Sequence, residues 1–160
     1  GFGRVGQIIC QMLDAEKISY VAIDLDVNSV MMGREQGFNV VYGDATNRDV
    51  LAEFGLKPRK TRALVVAMDN ATTARKAIIM AKSIAPRVAI FARARTLADS
   101  QILLQEKINA ATPETIESSF FLGYSVLDYL GVSEMNIAEL LEDMRANNYM
   151  ALSTVISDRQ

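Results

Sequence analysis

The chain has no histidine and no tryptophan, and it carries one cysteine and three prolines in 160 residues. Without histidine it lacks the commonest metal ligand and the side chain most often used as a general base near neutral pH. One thiol, Cys10, cannot close a disulfide within the chain, which suits a reducing compartment. No stretch of 18 consecutive apolar residues occurs, so no segment reads as a membrane-spanning helix. Seventeen basic against nineteen acidic residues leave a net charge of −2, too balanced for a nucleic-acid grip built on one large basic face. What is present is ordinary for a folded domain: half the residues are hydrophobic and 22% are charged. A chain this long makes one domain that buries about 70% of its unfolded surface without a staple.

Short β-rich runs alternate with longer helical stretches. The strands are expected at Tyr20–Asp24, Asn39–Tyr42, Ala63–Ala67, Ala89–Ala92 and Ala110–Thr112. Each run is nearly continuously apolar, as in strands covered on both faces of a parallel sheet. The intervening patterns predict helices over Val5–Ala15, Ser29–Gln36, Asp49–Phe54, Thr72–Ala85, Ala98–Lys107 and Glu114–Leu130. Gly37, Gly55 and Pro86 stand where three of them should stop. The alternation predicts an α/β fold with a doubly wound, Rossmann-like parallel sheet over residues 1–132. Such a sheet needs a strand just ahead of Gly1, expected from a longer parent protein. Residues 133–160 read as a C-terminal extension with a helix over Asn136–Ala146, then YMALSTVIS, which suits strand or helix. Met31, Met32, Met68 and Met80 read as core fillers, and Cys10 as a small buried hydrophobe.

Gly1-Phe2-Gly3-Arg4-Val5-Gly6 has the GxGxxG spacing and opens an amphipathic helix. Its first glycine permits a tight turn, the second admits a pyrophosphate to the backbone, and the third allows close helix packing. The helix N-terminus offers unpaired N–H groups and the positive dipole end to a phosphate. Eighteen residues beyond Gly6, Asp24 ends the next strand, where a carboxylate can accept both hydroxyls of an adenosine ribose. Asp26 is its rival, and either residue is alternatively a helix cap. The other strands also end in polar loops: Gly43-Asp44-Ala45-Thr46, Met68-Asp69-Asn70 and Arg93-Ala94-Arg95. In a parallel sheet these ends share one edge. Asp44 and Ala45 then frame an adenine, Met68, Asp69 and Asn70 lie on the far side of the cleft, and Arg4 and Arg93 meet phosphates.

The machinery of redox catalysis is missing. A dehydrogenase needs a proton donor or acceptor beside its nicotinamide. Here no tyrosine has a lysine four residues later, and no GxSxG, P-loop lysine or metal-spaced Cys/His cluster occurs. An adenine nucleotide is therefore expected as a signal or a structural ligand and not as a consumed cofactor.

GFGRVGQ at the start, VAID ending in Asp24, VVYGDAT at Val40–Thr46, VVAMD at Val65–Asp69 and FARAR at Phe91–Arg95 follow one order and spacing. Over Gly1–Leu130 the chain resembles the regulatory nucleotide-binding domain of bacterial potassium transport systems, called KTN, Trk-N or the N-terminal half of RCK. The likeness is to Kef-type potassium:proton antiporters and related plant plastid antiporters. The resemblance implies a homodimeric domain at the cytoplasmic face of the inner membrane that binds NAD(H) or AMP and gates a transmembrane antiporter domain. By the same resemblance, Gly1, Gly3, Arg4, Val5 and Gly6 hold phosphates, Asp24 holds ribose, Asp44 with Ala45 holds the adenine edge, and Arg93 lies at the cleft mouth. Ala74 stands where the family often has asparagine. Gln11 and Thr115 replace the arginines of glutathione-gated relatives, which argues against glutathione control. The rival readings are an NAD-dependent oxidoreductase fragment without its catalytic domain and a stand-alone Trk-type sensor subunit. On helix Glu114–Leu130, the stripe of Ile116, Phe120, Phe121, Leu127 and Leu130 either packs on the sheet or faces a dimer or transporter partner.

Overall fold

Five short apolar runs pair side by side, all parallel, in a computed structural model that describes residues 1–146 and Tyr149. In chain order the elements are α1 (Arg4–Ala15), β1 (Ala22–Asp24), α2 (Val27–Glu35), β2 (Val40–Tyr42), α3 (Arg48–Glu53), β3 (Ala63–Val66), α4 (Ala71–Ile84), β4 (Ala89–Ala94), α5 (Leu97–Leu104), β5 (Ala110–Pro113), α6 (Glu114–Tyr129) and α7 (Glu134–Ala146). Among the described residues five helices start at side-chain caps: Asp26, Asn47, Asn70, Thr96 in a capping box with Asp99, and Ser133, whose hydroxyl accepts the Asn136 N–H. Gly37 (φ 89°) and Gly55 (φ 118°) adopt left-handed backbone just after α2 and α3, the stop that the sequence predicts.

β1 pairs with β2, and β3, β4 and β5 form a second hydrogen-bonded set. Register places Ile23 opposite Val41, Val65 opposite Phe91, and Ala92 opposite Ala111. The Gly1–Phe2 turn lies between the two sets, with the Phe2 N–H on the Asp24 carboxylate at the tip of β1 and Gly1 against the Ala67 carbonyl just past β3. The strand order therefore runs outward in both directions from this turn. That reversal is the switch point where open α/β folds hold ligands.

The larger core joins β3, β4 and β5 to α3, α4 and α5 through Leu51, Val66, Ile78, Ile90, Leu103 and their neighbours. A second cluster of Phe2, Cys10, Val30 and Val40 ties α1 and α2 to β2, so Cys10 is the buried hydrophobe that its setting suggests. A third joins α6 to α7 through Phe120, Tyr149, Leu141 and Met144.

Three expectations are corrected. Met31 and Met32 are 57% and 58% exposed, because α2 turns Val30 and Gly33 inward and these two outward. Met68 and Met80 do pack against the core. The strands are not all covered on both faces: the register partners Val65 and Phe91 are exposed, since the helices packed on β3 and β4 protect the opposite side. The α6 stripe divides, with Phe120 buried while Phe121 and Leu130 are exposed. YMALSTVIS lies outside the described residues except for Tyr149.

Candidate functional site

The carboxyl ends of the strands open into a cavity of about 670 Å³. Every residue that the sequence nominates borders it except Gly6: Gly1, Gly3, Arg4 and Val5 from the turn, Asp24 and Asp26 beyond β1, Asp44 and Ala45 beyond β2, Met68 and Asp69 beyond β3, and Arg93 from β4.

The turn is shaped by close approach. A Cβ on Gly6 would lie 2.2 Å from the Gly1 carbonyl oxygen, and one on Gly1 would lie 2.8 Å from the Ala67 carbonyl oxygen. Gly3 differs, because nothing stands within 4 Å of where its Cβ would be. Gly6 thus closes the turn on itself from behind, while Gly3 faces open space. Gly3 is also the N-cap of α1, and no side chain caps that end. The first-turn N–H groups and the positive end of the helix dipole are left to whatever enters.

Asp24 and Asp26 have different neighbours. Asp24 accepts the N–H of Phe2 on one carboxylate oxygen and the N–H of Asp26, at 2.8 Å, on the other. It fastens the glycine turn to the tip of β1. Asp26 caps α2, accepting the Ser29 hydroxyl at 2.6 Å and the N–H groups of Asn28 and Ser29. The Ser29 hydroxyl and then the Asn28 N–H hold its pKa below the usual carboxylate value. Asp44 is held low in the same way, first by the Thr46 hydroxyl at 2.7 Å and then by the Thr46 N–H.

On the far side, Arg93 is a bridge. Its guanidinium donates to Glu114, at 2.7 Å from Nε with Nη2 at 2.5 Å, and also to Asp69. Partial burial works against its charge, but the two carboxylates outweigh burial and raise its pKa. The bridge joins the exit of β3 to the first residue of α6. Glu114 is the charged lining residue that the sequence reading missed, beside the uncharged Ile8, Leu25, Ser29 and Thr73. Its signal is in the sequence, since β5 ends immediately before it on the same side as the ends of β1 to β4. Asn70 caps α4 beside it. Five carboxylates and two guanidinium groups line the cavity as a whole. Among the described residues, no group of three or more His, Cys, Asp or Glu side chains is arranged to hold a metal ion.

A parallel α/β domain whose strand order reverses at a glycine turn, with an open cavity over that reversal, is a Rossmann-like domain. The profile described as the TrkA-N domain matches residues 1–113, and the chain belongs to that family. The chain is 32% identical over 152 residues to the putative K(+) efflux antiporter KefB of Alkalimonas amylolytica, covering 95% of this chain but 23% of that protein. It spans about a quarter of that relative's length. Among solved structures it is similar to the Kef CTD of Shewanella denitrificans in its AMP-bound form (TM-score 0.73, 26% identity, 92% of this chain and 88% of that one). It is also similar to the TrkA-N domain of the inner membrane protein ybaL from Escherichia coli (TM-score 0.69, 25% identity, 81% of this chain and 92% of that one).

Proposed function

We propose that this chain is the nucleotide-sensing regulatory domain of a potassium efflux antiporter. AMP or NAD(H) occupies the cleft, and occupancy changes transport through an attached transmembrane domain at the cytoplasmic face of the inner membrane. The observation that carries the reading is the uncapped N-terminus of α1 behind an unobstructed Gly3, with the Asp24 carboxylate fastened to the same turn and bordering the same cavity. A phosphate belongs at the first of these and a ribose at the second. In this reading the amides of Gly1, Gly3, Val5 and Gly6 with the Arg4 side chain serve phosphate, Asp24 serves ribose, Asp44 and Ala45 border adenine, and Met68, Asp69 and Arg93 close the far side. Asp26 supports Asp24 from the α2 cap. The AMP-bound state of the Kef relative supports the ligand class, and the KefB relative supports the transport role.

The domain acts here by population shift and not by catalysis. A nucleotide moves the transporter only by its different affinity for two states, and couplings of about 1–3 kcal/mol change gating roughly 5- to 150-fold. The second element is a homodimer through α6, whose Phe121, Leu122, Val126, Tyr129 and Leu130 leave an apolar face exposed.

Thermal-shift or calorimetric titration with AMP, NAD⁺, NADH, NADP⁺ and ATP tests the site. AMP and NAD(H) should raise the melting temperature. A protein whose melting ignores all five is not a nucleotide sensor. Sedimentation tests the dimer: Phe121→Asp with Leu130→Asp should yield a monomer, and an unchanged molecular mass would remove α6 from the interface.

A further inference from the structure

At the opposite edge of the sheet, five cations gather with no acid among them. The connection from α3 to β3 reads Lys57-Pro58-Arg59-Lys60-Thr61-Arg62, and no carboxylate occurs between Gly55 and Met68. The connection from α4 to β4 supplies Arg87, and no carboxylate occurs between Ile84 and Arg95. Both connections lead into the amino ends of adjacent strands, where Ala63 and Ala89 are register partners. They border a second, open pocket of about 540 Å³ lined by both Arg59 and Arg87.

This arrangement is held in place. The Lys57 N–H donates to the Thr61 hydroxyl at 2.9 Å, the Thr61 N–H returns to the Lys57 carbonyl at 3.0 Å, and the Thr61 hydroxyl donates to the Gly55 carbonyl at 2.6 Å. The turn consumes its own polar backbone groups and points its side chains out. Lys57, Arg59, Lys60, Arg62 and Arg87 are all exposed, and among the described residues none of them forms an ion pair. Arg75, Arg93 and Arg145 each have a carboxylate partner. Like charges crowded without a counter-charge repel one another, so this edge gains from a broad anionic surface.

We propose that this edge docks on the anionic phospholipid headgroups of the bilayer, with a lipid phosphate seated between Arg59 and Arg87. The proposal rests on the reading that the domain is carried by a membrane transporter, which keeps a bilayer within reach; the ybaL relative is named as an inner membrane protein. Clusters of four to eight Lys and Arg bind anionic leaflets by additive, short-range attraction that needs no matching shape. Neither connection has an aromatic ring on which a nucleic-acid base would stack.

The test is co-sedimentation of the 160-residue chain with phosphatidylcholine vesicles, with and without phosphatidylglycerol. Retention should require phosphatidylglycerol, fall as salt is raised, and drop about 25-fold in R59Q/R87Q, at roughly fivefold per cation removed. K57Q/K60Q should show a similar loss. Cooperative melting of each variant shows that it is folded, and AMP titration of the same samples reports on the cleft separately. Loss of the AMP response with lipid binding intact would sink the nucleotide reading and leave this proposal standing. Equal retention on pure phosphatidylcholine, no retention on either vesicle, retention indifferent to R59Q/R87Q, or preference for polyglutamate or RNA over anionic vesicles would each overturn it.

Discussion

The carboxyl ends of the strands and the amino ends of β3 and β4 carry opposite charge. At the carboxyl ends of the strands, five carboxylates and two guanidinium groups face a cavity. At the amino ends of β3 and β4, five cations stand with no carboxylate in either connection. The net charge of −2 hides this segregation entirely. In a parallel sheet every strand exits on one edge and every helix returns on the other, so alternate loops along the chain belong to different surfaces. The comparison also shows what kind of anion each edge suits. In the proposed function the α1 terminus and Arg4 would meet phosphate, because Arg93 is already engaged by Asp69 and Glu114. The cleft then suits a ligand with few phosphates, whereas the basic edge suits a surface of many.

The largest break in the comparison should come from Gly6→Ala. The new methyl group would meet the Gly1 carbonyl, a backbone atom that can yield only by opening the turn. We expect a cost of about 3 kcal/mol and a melting temperature lower by roughly 6–12 °C, with nucleotide response abolished. Gly3→Ala is the matched contrast. With nothing within 4 Å and φ at −71°, it should change stability by less than about 0.5 kcal/mol and yet weaken AMP binding by about tenfold, because the methyl group would occupy the space proposed for the phosphate. Melting curves with and without AMP read both effects. Equal destabilisation by the two substitutions would refute the division of labour between these glycines.

Asp24→Ala comes next. It removes the proposed ribose acceptor together with the tie from β1 to Phe2. Binding of AMP should fall about tenfold, near 1.4 kcal/mol, and stability by a further 1–2 kcal/mol, roughly the cost of unpaired amides. Calorimetry separates the two. If affinity is unchanged, the ribose role passes to Asp26.

A smaller effect sharpens the cleft's selectivity. Glu114→Gln releases Arg93 from one of its two carboxylates and removes a negative charge from the cavity. Affinity for ATP should then rise relative to AMP, by about threefold or more, as one screened like-charge contact near the surface is lost. A titration ratio identical to the parent's would show that the bridge has no part in choosing among nucleotides.

Much of this was legible in the sequence, for local reasons. GxGxxG and Asp24 act through backbone and neighbouring chain, so spacing alone placed them, and strand exits share an edge by topology. Asp26 was legible as a cap because Ser29 lies three residues on. What escaped depended on which side of an element met a neighbour. Met31 and Met32 look like core residues until α2 is seen to turn Val30 and Gly33 inward. Glu114 looked like an ordinary helix start until Arg93 was placed 21 residues away in sequence and 2.5 Å away in space. Arg59 and Arg87 share a pocket only because β3 and β4 are neighbours.

The last contrast lies off both edges, where α7 is clamped to α6. Arg145 grips Glu117 through Nε at 2.9 Å and Nη2 at 2.6 Å, its guanidinium lies 5.3 Å from the Phe120 ring centre, and the Tyr149 hydroxyl donates to the same carboxylate. Arg145 holds the Glu117 pKa below its ordinary 4.5, against the opposing effect of burial, and Tyr149 adds to the lowering. A depressed carboxylate pKa adds stability that is complete above 4.5 and lost as pH falls through the folded value. Burial, then the bond to Glu117, pushes Tyr149 from 10 up to about 12, so its contribution is intact below pH 10 and lost as pH rises toward 12. Glu117→Gln should therefore remove about 0.5–1 kcal/mol at neutral pH, as for other half-exposed ion pairs, and flatten the acid limb of stability against pH. Tyr149→Phe should flatten the alkaline limb and, because its hydroxyl helps to hold the Glu117 pKa low, soften the acid limb to a lesser degree. Neither should alter AMP affinity or vesicle binding, because neither edge contains these residues. Denaturant unfolding across the pH range decides it: an acid limb as steep in Glu117→Gln as in the parent would place the acid sensitivity elsewhere, in the cleft carboxylates Asp26 and Asp44, whose pKa values are also held low.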